Sequence, residues 1–440
     1  MARVRIMMVV PATAPLRQMS PLMMSDARRK IPERPASVPD VVTLDHSFAP
    51  VPIARTGFTA NLALATAKRS PEFIVRGEVD SEHLAALADS GAKVYSDPKI
   101  AAFPTCPGDA AVGTASDVAA ALRIDQLHAL GLNGEKVAIA IMDTGINQAH
   151  LSGLGVKSKV DKTLTWSPQG VAKTPGKYPV HHGSMCAFGA AIAAPNATLL
   201  DFPILLSTTS GASQMEGFLS DAVEAYSYLL QQMRLNTWPF DAVVINNSWG
   251  MYNQSWDFRP GHPGRYADNP NHPFNTIVGT LSRAGADILF AAGNCGADCP
   301  AGDCADVTTD TIMGANAHPD VLTIAGATYL NNRVGYSSQG PAIAGMKHAK
   351  PDLTSYTHFT GSKALEDGVD SGTSAACPVA AGCVAALRTG LPASKLMPGD
   401  LMREILADTK QSDGSSGWNA DYGYGMFKPV ITATRLHIAS

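Results

Sequence analysis

Charge is scarce in this 440-residue chain and leans weakly to one sign. Charged residues make up 16%, below the ~25% of an average soluble protein. Against 38 Asp and Glu stand 34 Lys and Arg, a net of −4. That balance excludes an electrostatic footprint for nucleic acid or for an anionic membrane surface. Long apolar runs are missing too. The longest uncharged run of small apolar residues, Ala375 to Leu387, falls short of the ~18–20 residues that span a bilayer. Gly (39) and Pro (30) are too few among 440 residues for low complexity, which begins at ~25–30% of the two together. No internal repeat is visible. A convincing signal peptide is also lacking. Arg3 and Arg5 precede only a short apolar stretch, Ile6 to Val10, closed by Pro11. The alternation of Val4, Ile6, Met8 and Val10 fits a strand instead. This favours a cytoplasmic protein, with secretion as the alternative.

What is present is a large apolar fraction, 45%, enough for a sizeable core. Seven cysteines is an odd number, so at least one is unpaired. Cys186, Cys377 and Cys383 lie in small-apolar, helix-like runs and read as buried thiols. Cys295, Cys299 and Cys304 crowd one loop. No fourth Cys or His follows at finger spacing, which favours a loop disulfide or reduced thiols over zinc. No metal site is expected.

The pattern changes along the chain. Residues 1–40 read as an extended arm or linker, rich in Pro, Met, Ser and Arg beyond residue 10. Residues 41–105 hold a small module: a strand at 72–79, a helix at 80–90 ending at Gly91, and a second strand at 92–103 broken by Pro98. A Pro- and Gly-containing loop from Pro104 to Ser116 marks a boundary, and 106–440 forms the main domain. There, short apolar runs of the buried parallel-strand type occur at Lys136 to Asp143, Ala197 to Ile204, Asp241 to Ser248, Asp287 to Ala292 and Val321 to Ala327. Helical stretches fall near 184–194, 214–234, 274–284 and 373–388. The alternation predicts an α/β fold of three layers, a mainly parallel sheet with helices on both faces. Ligands of such sheets bind outside the carboxyl ends of the strands.

Four such ends carry chemistry. Asp143 closes an apolar strand, and Gly145 lets the chain turn; alone, Asp-Thr-Gly is also an ordinary turn. His182-Gly183-Ser184 opens a helix of small residues, where a single His is more often structural. Asn294 ends the run Ala291-Ala292-Gly293; Asn there is commonly a turn residue, yet its amide is a neutral donor suited to an oxyanion. Ser374 follows Gly372-Thr373 at the start of a small-residue helix. Its bland reading is an N-cap, but a helix N-terminus also favours a developing anion.

Taken together, the order Asp143, His182, Asn294, Ser374 is the Asp…His…Ser order of subtilisin. The chain resembles the subtilisin-like serine proteases (subtilases) from about Val118 to Thr434. Gly372-Thr373-Ser374-Ala-Ala-Cys-Pro378 is similar to the family's nucleophile motif. His182-Gly183-Ser184 resembles its His motif, Asp143-Thr144-Gly145 its Asp motif, and Ala291 to Asn294 its oxyanion segment. Phe188 departs from the family pattern, and Tyr252 to Phe274 looks like an insertion that shapes the cleft rim.

The resemblance implies a serine endopeptidase with Ser374 as nucleophile, His182 as base, Asp143 as its orienter and Asn294 as oxyanion donor. It implies that peptide pairs with Ser248-Trp249-Gly250 and Ala291-Ala292-Gly293. Asp298, Asp303 and Asp306 lie near enough in sequence to suit a basic side chain, though a solvated acidic loop is the plainer reading. Residues 72–103 resemble part of an inhibitory propeptide, which implies an N-terminal intramolecular inhibitor with self-cleavage within about 103–117; the alternative is a permanent N-terminal domain that docks on the catalytic core or on a partner. No cofactor is required; family members often carry stabilising calcium, and no acidic calcium loop is legible here. The rival readings are a catalytically silent subtilase-fold binding or scaffold protein and a sedolisin-type acid peptidase.

Overall fold

A computed structural model describes residues 3–11, 35–53, 72–106, 110–209, 211, 213 and 215–438. Its centre is a seven-stranded sheet. The strand order across it is Leu353–Tyr356, Leu322–Ala327, Ala286–Ala291, Ala242–Asn247, Val137–Met142, Thr198–Phe202, Lys159–Val160. Every pairing in it is parallel. Val137–Met142 is buried along its whole length, as an apolar strand covered on both faces must be. Its side chains alternate between two cores. Ile139 and Ile141 enter one core with helices His182–Ala191 and Thr373–Gly390, while Ala138, Ala140 and Met142 enter the other with Leu219–Met233 and Pro273–Arg283. The three-layer α/β architecture read from the sequence is therefore the one observed.

Small residues let the first pair of helices approach closely. A Cβ on Gly382 would collide with the backbone of Ala190, and one on Gly189 would press on Pro378 at 3.2 Å. The mutual closeness matters because these helices begin at His182 and just before Ser374. Phe188, the departure from the family pattern, lies against Gly361, where a Cβ would come within 2.6 Å of its ring.

A second sheet lies N-terminal to this. In it Thr43–Leu44, Glu72–Asp80, Arg3–Pro11 and Lys93–Ser96 follow one another, and Val51–Ile53 also pairs with Glu72–Asp80. Arg3–Pro11 runs antiparallel to Glu72–Asp80 over nine residues. Residues 3–11 thus form a strand of this module rather than part of an arm; most of the remaining expected arm, 12–34, lies outside the described residues. The expected helix at 80–90 is shorter, Leu84–Asp89 after a 3-10 turn at Ser81–His83. Ile6, Met8, Val10, Val75 and Val94 make the module's own core. Met7, Val9 and Ile74, on the other face of the same strands, join the core of the main domain.

Arg76 pins the two parts together. It is 4% exposed. Its Nη1 donates to Asp221 Oδ1 at 3.0 Å and to Ser220 Oγ at 3.1 Å, and its Nε donates to Asp45 Oδ2 at 2.9 Å. Burial alone would lower the guanidinium pKa, but the surrounding carboxylates of Asp221, Asp97 and Asp45 raise it. The insertion at 252–274 also grips this module: Ser96 N donates to Gly264 O at 2.9 Å, and His272 Nε2 lies 3.1 Å from Ser96 O.

Beyond Pro98 the chain leaves the N-terminal sheet. Lys99–Ala102 lies between Glu216–Phe218 and Trp249–Gly250, antiparallel to both. Glu216–Phe218 falls inside the stretch expected to be helical; the helix proper is Leu219–Met233. Its first residues are drawn into a ladder by this third strand. Four cysteines form two disulfides, Cys106–Cys299 and Cys295–Cys304, and Cys186, Cys377 and Cys383 are buried free thiols. The cross-linked pair within the three-cysteine loop is joined by one bond that leaves it. No helix among the described residues is long and apolar enough to cross a membrane.

Candidate active site

Asp143 directly follows the central strand Val137–Met142 and is fully buried. Its Oδ1 accepts from Thr144 N at 2.7 Å. His182 Nδ1 lies 2.9 Å from Oδ1 and 3.0 Å from Oδ2. An ionised carboxylate can only accept, so Nδ1 carries the proton and Nε2 is left as the acceptor. His182 stands first in its helix because Gly183 lets the helix meet the Asp loop: Gly183 N donates to Thr144 Oγ1 at 2.8 Å, and a Cβ there would collide with the Gly145 carbonyl. Neighbouring His181 makes no such contact, and burial and then His182 push its pKa down.

Ser374 is buried at the start of Thr373–Gly390. Its Oγ donates to Ser248 O at 3.3 Å, and its carbonyl accepts from Ser248 Oγ at 2.9 Å. His182 Nε2 is buried without a hydrogen-bond partner among the described residues. Gly372 precedes with φ +77°, a left-handed conformation that favours glycine. A Cβ on it would sit 2.8 Å from Asn294 Nδ2. Asn294 Oδ1 accepts from Thr373 N at 2.9 Å and Thr373 Oγ1 at 3.0 Å, which fixes the amide so that Nδ2 is its donor end beside Gly372. Nδ2 donates to the carbonyls of Phe103 at 3.1 Å and Pro104 at 2.9 Å. A donor of the type an oxyanion needs is thus held by two bonds at its other end and is already engaged by a peptide carbonyl of the chain itself.

The strand Lys99–Ala102 runs up to Asn294 between two partner strands. Ala102 is paired with Trp249 and Ala101 with Gly250 on one side; Ala101 with Glu216, Ile100 with Gly217 and Lys99 with Phe218 on the other. Of the two segments expected to pair with peptide, Ser248-Trp249-Gly250 pairs through Trp249 and Gly250 with the chain's own Lys99–Ala102. Ala291 and Ala292 do not form a ladder with it, and Gly293 instead adjoins the Phe103 ring, with a Cβ there reaching 3.3 Å. The second ladder comes from Glu216–Phe218, which carries no local signal because its pairing partner is over a hundred residues distant.

Cys186 is a further member of this cluster. Its Sγ lies 3.5 Å from Asp143 Oδ2, 3.9 Å from His182 Nδ1 and 3.6 Å from Ser374 O. Burial and then Asp143 hold its pKa well above the usual thiol range, so it stays a neutral thiol. Asp143, His182 and Cys186 offer donor atoms within 4.8 Å of one another. A metal there would have to displace the Nδ1 proton that faces Asp143 and the Cys186 thiol proton, which burial holds in place. Of the acidic residues near the three-cysteine loop, Asp298 pairs with Arg333, and Asp303 accepts from Tyr252 OH at 3.1 Å.

Comparison with known proteins accords with this arrangement. The chain is 24% identical over 318 residues to the membrane-bound transcription factor site-1 protease of Mus musculus, covering 70% of this chain and 26% of that protein. The Homo sapiens counterpart is 23% identical with the same coverage. Endoprotease bli-4 of Caenorhabditis elegans is 24% identical over 329 residues, 69% of this chain and 31% of its own length. The chain therefore spans less than a third of these relatives. A model of the subtilase family matches residues 134–425, more than half of the chain, and the chain belongs to that family.

Proposed function

We propose that the protein is a serine endopeptidase held latent by its own N-terminal segment. One observation carries this reading: the Phe103 carbonyl accepts from Asn294 Nδ2 at the end of a strand paired on both sides like a bound peptide. In the reaction, Ser374 Oγ turns from the Ser248 carbonyl toward His182 Nε2 and attacks the scissile carbonyl as its proton passes to that nitrogen. Asp143 orients the ring and stabilises the imidazolium. The oxyanion takes hydrogen bonds from Asn294 Nδ2 and from the Ser374 backbone N–H at the helix start. Collapse of the intermediate hands the proton from His182 to the leaving amine and leaves an acyl-enzyme, which water then hydrolyses.

Peptide or protein is the substrate class, bound by main-chain pairing to Trp249–Gly250 and Glu216–Phe218. Self-cleavage is proposed at the bond following Phe103 or Pro104, within the region expected from the sequence. The silent-scaffold reading is less favoured, since every group that the chemistry uses is present and buried in order. Two disulfides favour an oxidising compartment over the cytoplasm.

A fluorophosphonate probe on the full chain tests the reading. Labelling after limited proteolysis of the N-terminal segment, lost in Ser374→Ala, is the expected result. Labelling that persists in Ser374→Ala, or none after the segment has been removed, refutes it.

A further inference from the structure

The Phe103 ring fills a pocket whose walls can be traced. A Cβ on Gly250 would lie 2.7 Å from Phe103 Cζ, and one on Gly293 would lie 3.3 Å from Cε1. Tyr252 forms a third side, its ring centroid 5.2 Å from that of Phe103. The pocket closes on Asn316, in the 3-10 turn Gly314–Ala317. Its Nδ2 donates to Trp249 O at 3.0 Å and Ala291 O at 2.9 Å, so one amide ties together the two strands that wall the pocket. Both partners are carbonyls, which only accept, and this settles which end of the amide is nitrogen.

The other end is unsatisfied. Asn316 is 3% exposed, and its Oδ1 is buried without a hydrogen-bond partner among the described residues. The Cβ position of Gly250 that lies 2.7 Å from Phe103 Cζ also lies 3.0 Å from Asn316 Oδ1. The far tip of the ring and an unused acceptor therefore both border one glycine. Leaving a buried acceptor unmade is costly, and phenylalanine has no donor to offer. Tyrosine carries its hydroxyl on that very carbon.

We propose that the pocket is built for tyrosine on the acyl side of the scissile bond, and that Asn316 is the specificity-determining residue. The proposal rests on the reading that Lys99–Pro104 occupies the cleft as a substrate would. A site that offers a hydrogen bond to a substrate hydroxyl discriminates against the analogue lacking it far more strongly than an apolar pocket does. Basic residues are disfavoured, because the walls traced here, Gly250, Gly293, Tyr252 and Asn316, carry no carboxylate. The chain's own Phe103 is then an imperfect occupant, which a better peptide displaces.

Two measurements test this, the first after limited proteolysis of the N-terminal segment and the second on the full chain. Fluorogenic peptides Ile-Ala-Ala-Tyr, Ile-Ala-Ala-Phe and Ile-Ala-Ala-Arg copy residues 100–102 and vary the last position. The expected kcat/KM favours Tyr over Phe by roughly a hundredfold, with Arg last, and the Tyr-to-Phe ratio collapses in Asn316→Ala. Phe matching or exceeding Tyr, or Arg exceeding both, overturns the proposal. The second measurement needs no catalysis: Phe103→Tyr raises the melting temperature, and does so only when Asn316 is present. No rise in Phe103→Tyr, with Asn316 unaltered, overturns the proposal by itself. A rise with no hydrolysis of any peptide after the N-terminal segment has been removed upholds the pocket and instead defeats the endopeptidase reading.

Discussion

Replacing Arg76 with methionine tests how the N-terminal sheet is held over the cleft. The guanidinium is buried between Asp45 on its own module and Asp221 on Leu219–Met233. Methionine preserves much of the stem volume, including the packing beside Phe48, whose ring centroid is 4.8 Å from the guanidinium carbon. It removes the charge. Asp221 is then left buried with no cation facing it; burial already pushes its pKa up, and Arg76 is what pulls it back. Removing one partner of a buried pair costs about 3–5 kcal/mol, chiefly through the charge left behind. At 1.4 kcal/mol per tenfold, docking of the module weakens by roughly two to four orders of magnitude. The assay is paired: urea unfolding for stability, and peptide hydrolysis without prior activation for access to the cleft. Arg76→Met should lower the first and raise the second. Adding Asp221→Asn should restore much of the stability, since the orphaned charge disappears. If the single variant unfolds at the wild-type urea concentration, or the double variant is no more stable than the single, the electrostatic argument is wrong.

Two further predictions concern the strand ends and the staple. Asp201, beside the Asp143 loop, accepts from Gly176 N at 2.9 Å and Ile146 N at 3.2 Å, yet burial raises its pKa from 3.8 to about 7. The folded state then holds a proton between about pH 4 and 7 that the unfolded state has lost, so its contribution is full below pH 4 and falls by up to ~4 kcal/mol as pH rises to 7. Asp201→Asn should flatten that slope in denaturant midpoints at pH 4.5 and 8; parallel profiles for the two proteins would falsify the assignment. The Cys106–Cys299 bond closes a loop of sequence separation 193, worth up to about 5 kcal/mol by chain entropy, and it anchors the segment just past the cleft. Cys106→Ser should lower the melting temperature and speed release of Lys99–Ala102, read as earlier peptide hydrolysis; unchanged values for both sink the idea.

Much of the site was legible because its chemistry needs particular residues beside particular backbone. Asp143 after an apolar strand, Gly183 after His182 and Gly372 before Ser374 are local requirements, and each left a local trace. The sheet was legible for a similar reason: strands buried on both faces read as unbroken apolar runs, as in Val137–Met142. Those features follow from neighbouring residues alone. Tertiary structure decided the rest. Glu216–Phe218 reads as the start of a helix and becomes a strand only because Lys99–Ala102 lies beside it. Cys106 has no sequence neighbour to betray its bond to Cys299. Asn316, Tyr252 and Gly250 form one pocket although no spacing links them, and the alternation from Val4 to Val10 marks a strand without showing that it lies between Glu72–Asp80 and Lys93–Ser96. Contacts made across hundreds of residues depend on where the whole chain has packed, and a strand edge or a pocket wall takes its partner from space rather than from sequence order.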